Sequence, residues 1–236
     1  MKKLFLFSLL FFSGLSFACR CGMQGIYTYY DWAKFVGEIE VVDVGEPLNG
    51  QVFVKIKSLK KYKGSIPNGF YADVASSCRV SFRKAERFLI YLDFFQGIYK
   101  ANACTRKIKI DNEKDEFKRE RKVLKYLSKK GFKQKGAMIL FDEKEDEALE
   151  AFKDLNYKRD FTILRVTASK YPDKIDKIEV LKKIGTPRDK EIYEIIQKHG
   201  ILLNKYTRLG IENEEFIVVL FYHKDNSNMG VISLYP

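Results

Sequence analysis

The four cysteines of this 236-residue chain, Cys19, Cys21, Cys78 and Cys104, all lie before residue 105, and the first two are one residue apart. They follow a basic start, Met1-Lys2-Lys3, and an apolar run from Leu4 to Phe17. Ser16-Phe17-Ala18 places small residues at the −3 and −1 positions of a cut, so residues 1–18 read as a secretory signal peptide. The run is too short, and turns polar too soon, for a membrane span. Cleavage after Ala18 predicts a mature chain that starts at Cys19. That places it outside the cytoplasm, secreted or periplasmic. Lipidation and anchoring at Cys19 is the rival reading. Phe17, where a lipobox wants a small residue, and the even cysteine count both speak against it, because an exported protein with four cysteines invites two disulfides.

The length suffices for one large or two small domains. Since the cysteines stop at residue 104, the disulfide framework belongs to an N-terminal domain. The formal net charge is +12, and +10 without Lys2 and Lys3. One dense basic stretch, KIKSLKKYK, runs from Lys55 to Lys63. Basic charge suits nucleic acid or an anionic surface. For an exported chain a solvated basic face is the expectation, with no nucleic acid as partner.

From Lys34 to Ala103 the pattern is strand-like. FVGEIEVVDV (35–44) is rich in β-branched residues, and Gly45-Glu46-Pro47 and Asn49-Gly50 punctuate it. QVFVKIKSL then alternates, with Val52, Val54 and Ile56 on one face and Lys55 and Lys57 on the other. Pro67-Asn68-Gly69 is a further turn, and RVSF, RFLIYLDFF and GIYKANAC are read as strands. Short strands at this spacing predict a small all-β barrel or sandwich over residues 19–110. The aromatic stretch YTYYDW (27–32) is expected to cover the barrel end.

At Asp111 the period changes. Asn112 is a helix cap, Phe117, Val123, Leu124 and Leu127 form a stripe, and Gly131 ends a linking amphipathic helix over 111–131. Its stripe is expected to pack on the neighbouring domain. Residues 132–236 mix periods as an α+β domain. AMILF, FTILRVTA, KIEVLKKIG, FIVVLFYH and VISLY are the strands. EDEALEAFKDL is a helix, and a second helix starts at Thr186-Pro187, carries Ile192, Ile195 and Ile196, and closes at Gly200.

Four cysteines allow three pairings. A Cys19–Cys21 bond would close a tiny ring. Either of the other two fastens the first mature residues to Cys78 and to Cys104. Each such tie closes a loop of about 60 to 85 residues, roughly 4 kcal/mol in the chain-entropy account. Chain ends ordinarily fray, so a clamped α-amine asks for a reason.

The Cys-X-Cys start, FVGEIEVVDV, the Tyr62-Lys63-Gly64 turn, SSCRVSF, ERFLIYL and GIYKANAC together resemble the netrin-like inhibitory domain of the tissue inhibitors of metalloproteinases, over residues 19 to about 106. The resemblance implies a five-stranded OB-type barrel with the pairs Cys19–Cys78 and Cys21–Cys104. It also implies an inhibitory role, with a zinc metalloprotease as partner. The amine nitrogen and carbonyl oxygen of Cys19 would chelate the protease's catalytic zinc and displace its water. Arg20 would enter the pocket past the scissile position. Cys21 and Gly22 would continue along the cleft, and Ser76 and Ser77 would fill its other side. The family carries a small hydroxyl residue where this chain has Arg20, and a buried arginine without a partner is costly. The reading set beside inhibition is a structural staple and no more.

Residues 161–223 resemble, in pattern, the C-terminal domain of TonB-type energy transducers, through KIDKIEVLKKIGTPRDKEIYEIIQKHG and FIVVLFYH. That implies an envelope protein partner met at a sheet edge. The expectation set beside it is a generic α+β support domain. Enzyme signals are poor. The two histidines, His199 and His223, lack metal-type neighbours, and no phosphate loop or nucleophile elbow is present. No enzyme, no cofactor and no metal of its own is therefore the expectation. The function read from the sequence is a secreted metalloprotease-inhibitor-like protein. The alternative is a non-inhibitory binding or scaffold module of the bacterial envelope.

Overall fold

The computed structural model describes residues 21–22, 24–110, 115–141, 160–168, 175–203, 214–224 and 230–233. The first sheet is built from β1 (Phe35–Val44), β2 (Gln51–Lys63), β3 (Gly69–Asp73), β4 (Arg87–Phe95), β5 (Ile98–Ala101) and β6 (Lys107–Lys109). The strands follow the order β1-β2-β3-β5-β4, and β1 also pairs with β4, so five strands close into a barrel while β6 extends β4. The β3–β5 pair is parallel and the other pairs are antiparallel. That closure and order are those of an OB-like barrel.

The strands follow from local chemistry. In β2, Val52, Val54 and Ile56 are buried while Phe53, Lys55 and Lys57 are exposed, the alternation read from the sequence. Asn49 and Gly50 both take positive φ, 51° and 77°, at the β1–β2 turn. Two such residues in succession match the twist of an antiparallel hairpin. Phe35, Ile39, Val54, Phe70, Ile90 and Leu92 fill the barrel interior. RVSF is not a strand. Residues 79–82 run irregularly, yet Val80 and Phe82 are buried, so their apolar character reports burial rather than pairing.

The remaining described strands are β7 (Lys135–Gly136), β8 (Met138–Phe141), β9 (Phe161–Ala168), β10 (Ile175–Lys182), β11 (Gly200–Leu203), β12 (Glu214–Lys224) and β13 (Gly230–Ser233). They form a five-stranded sheet, β10-β9-β12-β13 with β7 on β12, and a separate β8–β11 pair. Helices are α1 (Ile26–Trp32), α2 (Asp115–Lys130) and α3 (Asp189–His199). The segment EDEALEAFKDL and the cap Asn112 lie outside the described residues.

In β12 the even positions Phe216, Val218, Leu220 and Tyr222 pack with Ile192 and Ile196 of α3. The odd positions Ile217, Val219 and Phe221 pack with Phe117, Val123, Leu124 and Leu127 of α2 and with Leu89 and Tyr91 of the barrel. Both faces of β12 are covered, which is why FIVVLFY reads as an unbroken apolar run. The stripe of α2 is thus buried in a core shared by barrel and second sheet. Gly131 ends α2 at φ 59°, the left-handed conformation that glycine adopts at low cost.

The start of α3 differs from the sequence reading. Thr186 and Pro187 precede the helix, which begins at Asp189. The Asp189 carboxylate instead reaches back, accepting from Gly185 N (3.0 Å), Thr186 N (2.7 Å) and the Thr186 hydroxyl (2.7 Å). One side chain takes up donors of the approach turn, which displaces Thr186 from the capping role.

Candidate functional site: the stapled N-terminal edge

Cys19 and Arg20 lie outside the described residues. The next residue, Cys21, is disulfide-bonded to Cys104 across 83 positions, with Cα atoms 5.1 Å apart. Cys21 and Gly22 are exposed. One residue before Cys104, Ala103 N donates to the Cys78 carbonyl at 2.7 Å. The segment that carries Ser76, Ser77 and Cys78 is thereby fixed next to the segment that holds Cys21. Of the residues singled out in the sequence, Cys21 and Gly22 line one cavity, and Ser76 and Ser77 stand in the turn just before Cys78. Among the described cysteines none is free.

The Ser76–Ser77 turn has its own scaffold. Asp73, the last residue of β3, accepts from Ala75 N (3.2 Å), Ser76 N (3.1 Å) and the Ser76 hydroxyl. Hydrogen bonds to the Ser76 side chain and backbone hold its carboxyl below the usual carboxylate range. Ser76 Oγ accepts in turn from Cys78 N at 3.0 Å. On the other side, Asn102 Oδ1 accepts from Cys104 N at 2.8 Å and Thr105 Oγ1 from Asn102 N at 2.9 Å. These short loops are exposed and still ordered, because polar side chains take over the backbone groups that no ladder satisfies.

The arm behind Cys21 is anchored by α1, a helix that the sequence reading gave only as covering aromatics. Ile26, Tyr27 and Thr28 are buried. A helix this short is marginal alone, so its neighbours must hold it. Gly136 of β7 lies so close beneath Thr28 that a Cβ there would meet the Thr28 Cα at 2.5 Å. Tyr27 OH donates to Gln134 O at 3.0 Å. The Tyr62-Lys63-Gly64 turn closes the other end: Lys63 Nζ donates to the carbonyls of Tyr30 (2.6 Å) and Asp31 (2.7 Å). These are carbonyls of the last turn of α1, where a cation is favoured. Burial lowers the Lys63 ammonium pKa. Glu38 meanwhile receives the Tyr62 hydroxyl in a buried bond.

A cavity of about 310 Å³ opens beside the disulfide, lined among others by Cys21, Gly22, Tyr29, Trp32, Asp93 and Arg106. Below it Arg106 forms an ion pair with the fully buried Glu120 of α2, and Tyr91 OH donates to Glu120 Oε1 at 2.5 Å. Burial, and after it the Glu120 charge, raise the Tyr91 hydroxyl well above its ordinary pKa. For Arg106 burial works against the charge, but Glu120 overrides it and the net shift is upward. Sequence reasoning missed Lys63, Asp73 and Arg106 as the residues that fix this edge. The Asp73-x-x-Ser76 spacing was the one local signal available.

Among the described residues no group of three or more His, Cys, Asp or Glu is arranged to hold a metal ion. No described helix is long and apolar enough to cross a membrane, and a disulfide is compatible with an extracellular or periplasmic location. No protein-family model matches the chain, and no curated protein matches it.

Proposed function

We propose that the chain is an exported metalloprotease-inhibitor-like protein that acts through the α-amine and carbonyl of Cys19 on the catalytic zinc of a target protease. The observation that supports this best is the Cys21–Cys104 bond beside the Ala103–Cys78 hydrogen bond. In this reading they hold the Cys21–Gly22 arm and the Ser76–Ser77 turn along one edge of an OB-like barrel. In this reading Cys78 pairs with Cys19, the remaining cysteine of the four. The barrel and the α+β part after about residue 132 form two units that share the α2 core.

The chemistry is metal chelation by a five-membered ring. A neutral amine nitrogen and the carbonyl oxygen of one residue displace the water that attacks substrate. A free α-amine has a pKa near ~8, so metal binding at neutral pH drives off its proton. Holding the short segment in place before binding lowers the entropy lost on binding. Arg20 then sets the specificity: its target carries a deep or acidic pocket past the scissile position, where the guanidinium finds a partner.

The experiment is inhibition of a panel of zinc metalloproteases by the processed protein and by a variant with one alanine added before Cys19. Inhibition by the first and its loss in the second are expected. Equal inhibition by both, or none across the panel, overturns chelation. The scaffold reading rests on β10, one of the outer strands of the second sheet among the described strands, whose edge would suit a partner's strand. Partner binding there survives the added alanine.

A further inference from the structure

The apolar stripe of α2 is used up in the core, while the opposite side of the helix is basic. Lys118, Lys122, Lys125 and Lys129 are exposed there. Their spacings of four, three and four residues align them along one side of the helix over about 16 Å. Beside this row, at the end of β2, stands Lys60. Partial burial, then the positive charges of Arg121 and Lys125, lower the Lys60 ammonium pKa, and Glu38 opposes them. The fold therefore gathers cations from two elements around one carboxylate.

That carboxylate is already shared. Glu38 takes Arg121 Nε at 3.1 Å and the Tyr62 hydroxyl. The acids of α2 mostly serve elsewhere: Glu116 and Glu120 turn to Arg106, and Asp115 stands at the first turn. Asp160 balances Lys122 at 2.6 Å. No ion pair among the described residues reaches Lys125 or Lys129. The surface is the open side of a helix and a strand, and other residues line the two described cavities. A lone anion is best held in a concave site, whereas flexible ammonium groups spread over such a length match an extended anionic plane.

We propose that this ridge, Lys60 with Lys118, Lys122, Lys125 and Lys129, docks the exported protein on a bilayer surface rich in anionic phospholipid. The contact is electrostatic and without insertion, because the apolar side of α2 faces inward. Docking is independent of the inhibitor reading and goes beyond it. Each lysine at such a surface strengthens partition about fivefold at moderate salt, and screening removes the effect as salt rises.

The test is co-sedimentation of the full disulfide-bonded chain with phosphatidylglycerol–phosphatidylcholine vesicles and with phosphatidylcholine vesicles alone. Binding to the anionic vesicles only, lost in high salt, is expected. The double variant Lys60→Gln, Lys125→Gln should bind roughly thirtyfold more weakly, with an unchanged melting temperature or a higher one. The control Lys177→Gln, Lys198→Gln, equal in net charge, should bind like wild type. Equal losses in both variants, no loss in the first, or capture by single-stranded DNA or a sulfated polysaccharide without vesicle binding would each overturn the proposal.

Discussion

The buried carboxylate of Glu120, on α2, meets the guanidinium of Arg106, two residues past the cysteine that holds the N-terminal arm. Arg106 Nε donates to Glu120 Oε1 at 3.0 Å, and Tyr91 of β4 donates to the same oxygen. Three elements thus meet at one charge: the strand that closes the barrel, the loop that carries Cys104, and the helix that carries the second sheet. Such a pair adds less net stability than its geometry suggests, since both ions were dehydrated to form it. Its effect is positional, because few other arrangements satisfy all three groups.

Glu120→Ala leaves Arg106 charged and mostly buried, and the Tyr91 hydroxyl without its acceptor. A loss of about 3–5 kcal/mol in unfolding free energy is expected from urea titration. Glu120→Gln keeps the volume and one acceptor and should lose less. If Glu120→Ala unfolds at the wild-type midpoint, the charge is not buried as described.

Lys63→Met keeps the apolar stem and removes the two bonds to the carbonyls of Tyr30 and Asp31. Hydrogen bonds from a charged group contribute about 1.5–3 kcal/mol each at most, and water at the vacated helix end offsets part of that. The expected result is a local one: faster amide exchange over residues 26–33 and faster reduction of Cys21–Cys104 by a mild thiol, with the barrel strands β2 and β4 little changed. Uniform acceleration across the barrel would mean that α1 does not open separately.

The barrel was legible because its wall alternates. Val52, Val54 and Ile56 against Lys55 and Lys57 announce a strand with one wet face, and Asn49-Gly50 announces its turn. β12 was legible as a strand, but the burial of both its faces followed only once α2 and α3 were in place. The segment RVSF misled because Val80 and Phe82 are buried without pairing, and composition cannot tell these cases apart. Ile26–Trp32 gave no helical stripe, since Gly136, Lys63 and Tyr62 stabilise it from far along the chain. Of the candidate site, the Cys21–Cys104 tie was foreseen through resemblance alone. The Asp73 and Asn102 turns depend on side chains that meet only after folding.

Two glycines with similar backbones should respond differently to alanine. Gly64 has φ 74°, and a Cβ there would lie 1.7 Å from the Lys34 carbonyl oxygen. Gly97 has φ 83° and nothing within 4 Å of the added atom. Gly97→Ala should cost only the left-handed conformation, about 1–2 kcal/mol. Gly64→Ala adds a clash with backbone that cannot step aside, and should exceed that cost clearly or prevent folding. The comparison is read from paired denaturant midpoints. Equal losses would mean that the Tyr62-Lys63-Gly64 turn does not press on Lys34.

Alkaline pH should unfold the protein through its tyrosines. Burial, the largest cause in each case, raises the hydroxyl pKa values of Tyr27, Tyr30, Tyr62, Tyr91 and Tyr193. In the unfolded chain each ionises near ~10. Above that pH the unfolded state has released protons that the native state still holds, so stability falls as pH rises. Below it both states are neutral and these groups contribute no slope. The tyrosines by themselves give no slope between neutrality and about pH 10 and a steep fall above it, with tyrosinate absorbance appearing together with unfolding, while the lowered ammonium pKa of Lys63 adds a rise below that pH. Tyr91→Phe removes one such group, and its Glu120 acceptor keeps Arg106. This variant should lose some stability at neutral pH, fall less steeply above pH 10, and so narrow the gap to wild type as alkalinity increases. A gap that stays constant instead would mean that the Tyr91 hydroxyl titrates as in the unfolded chain, in contact with water.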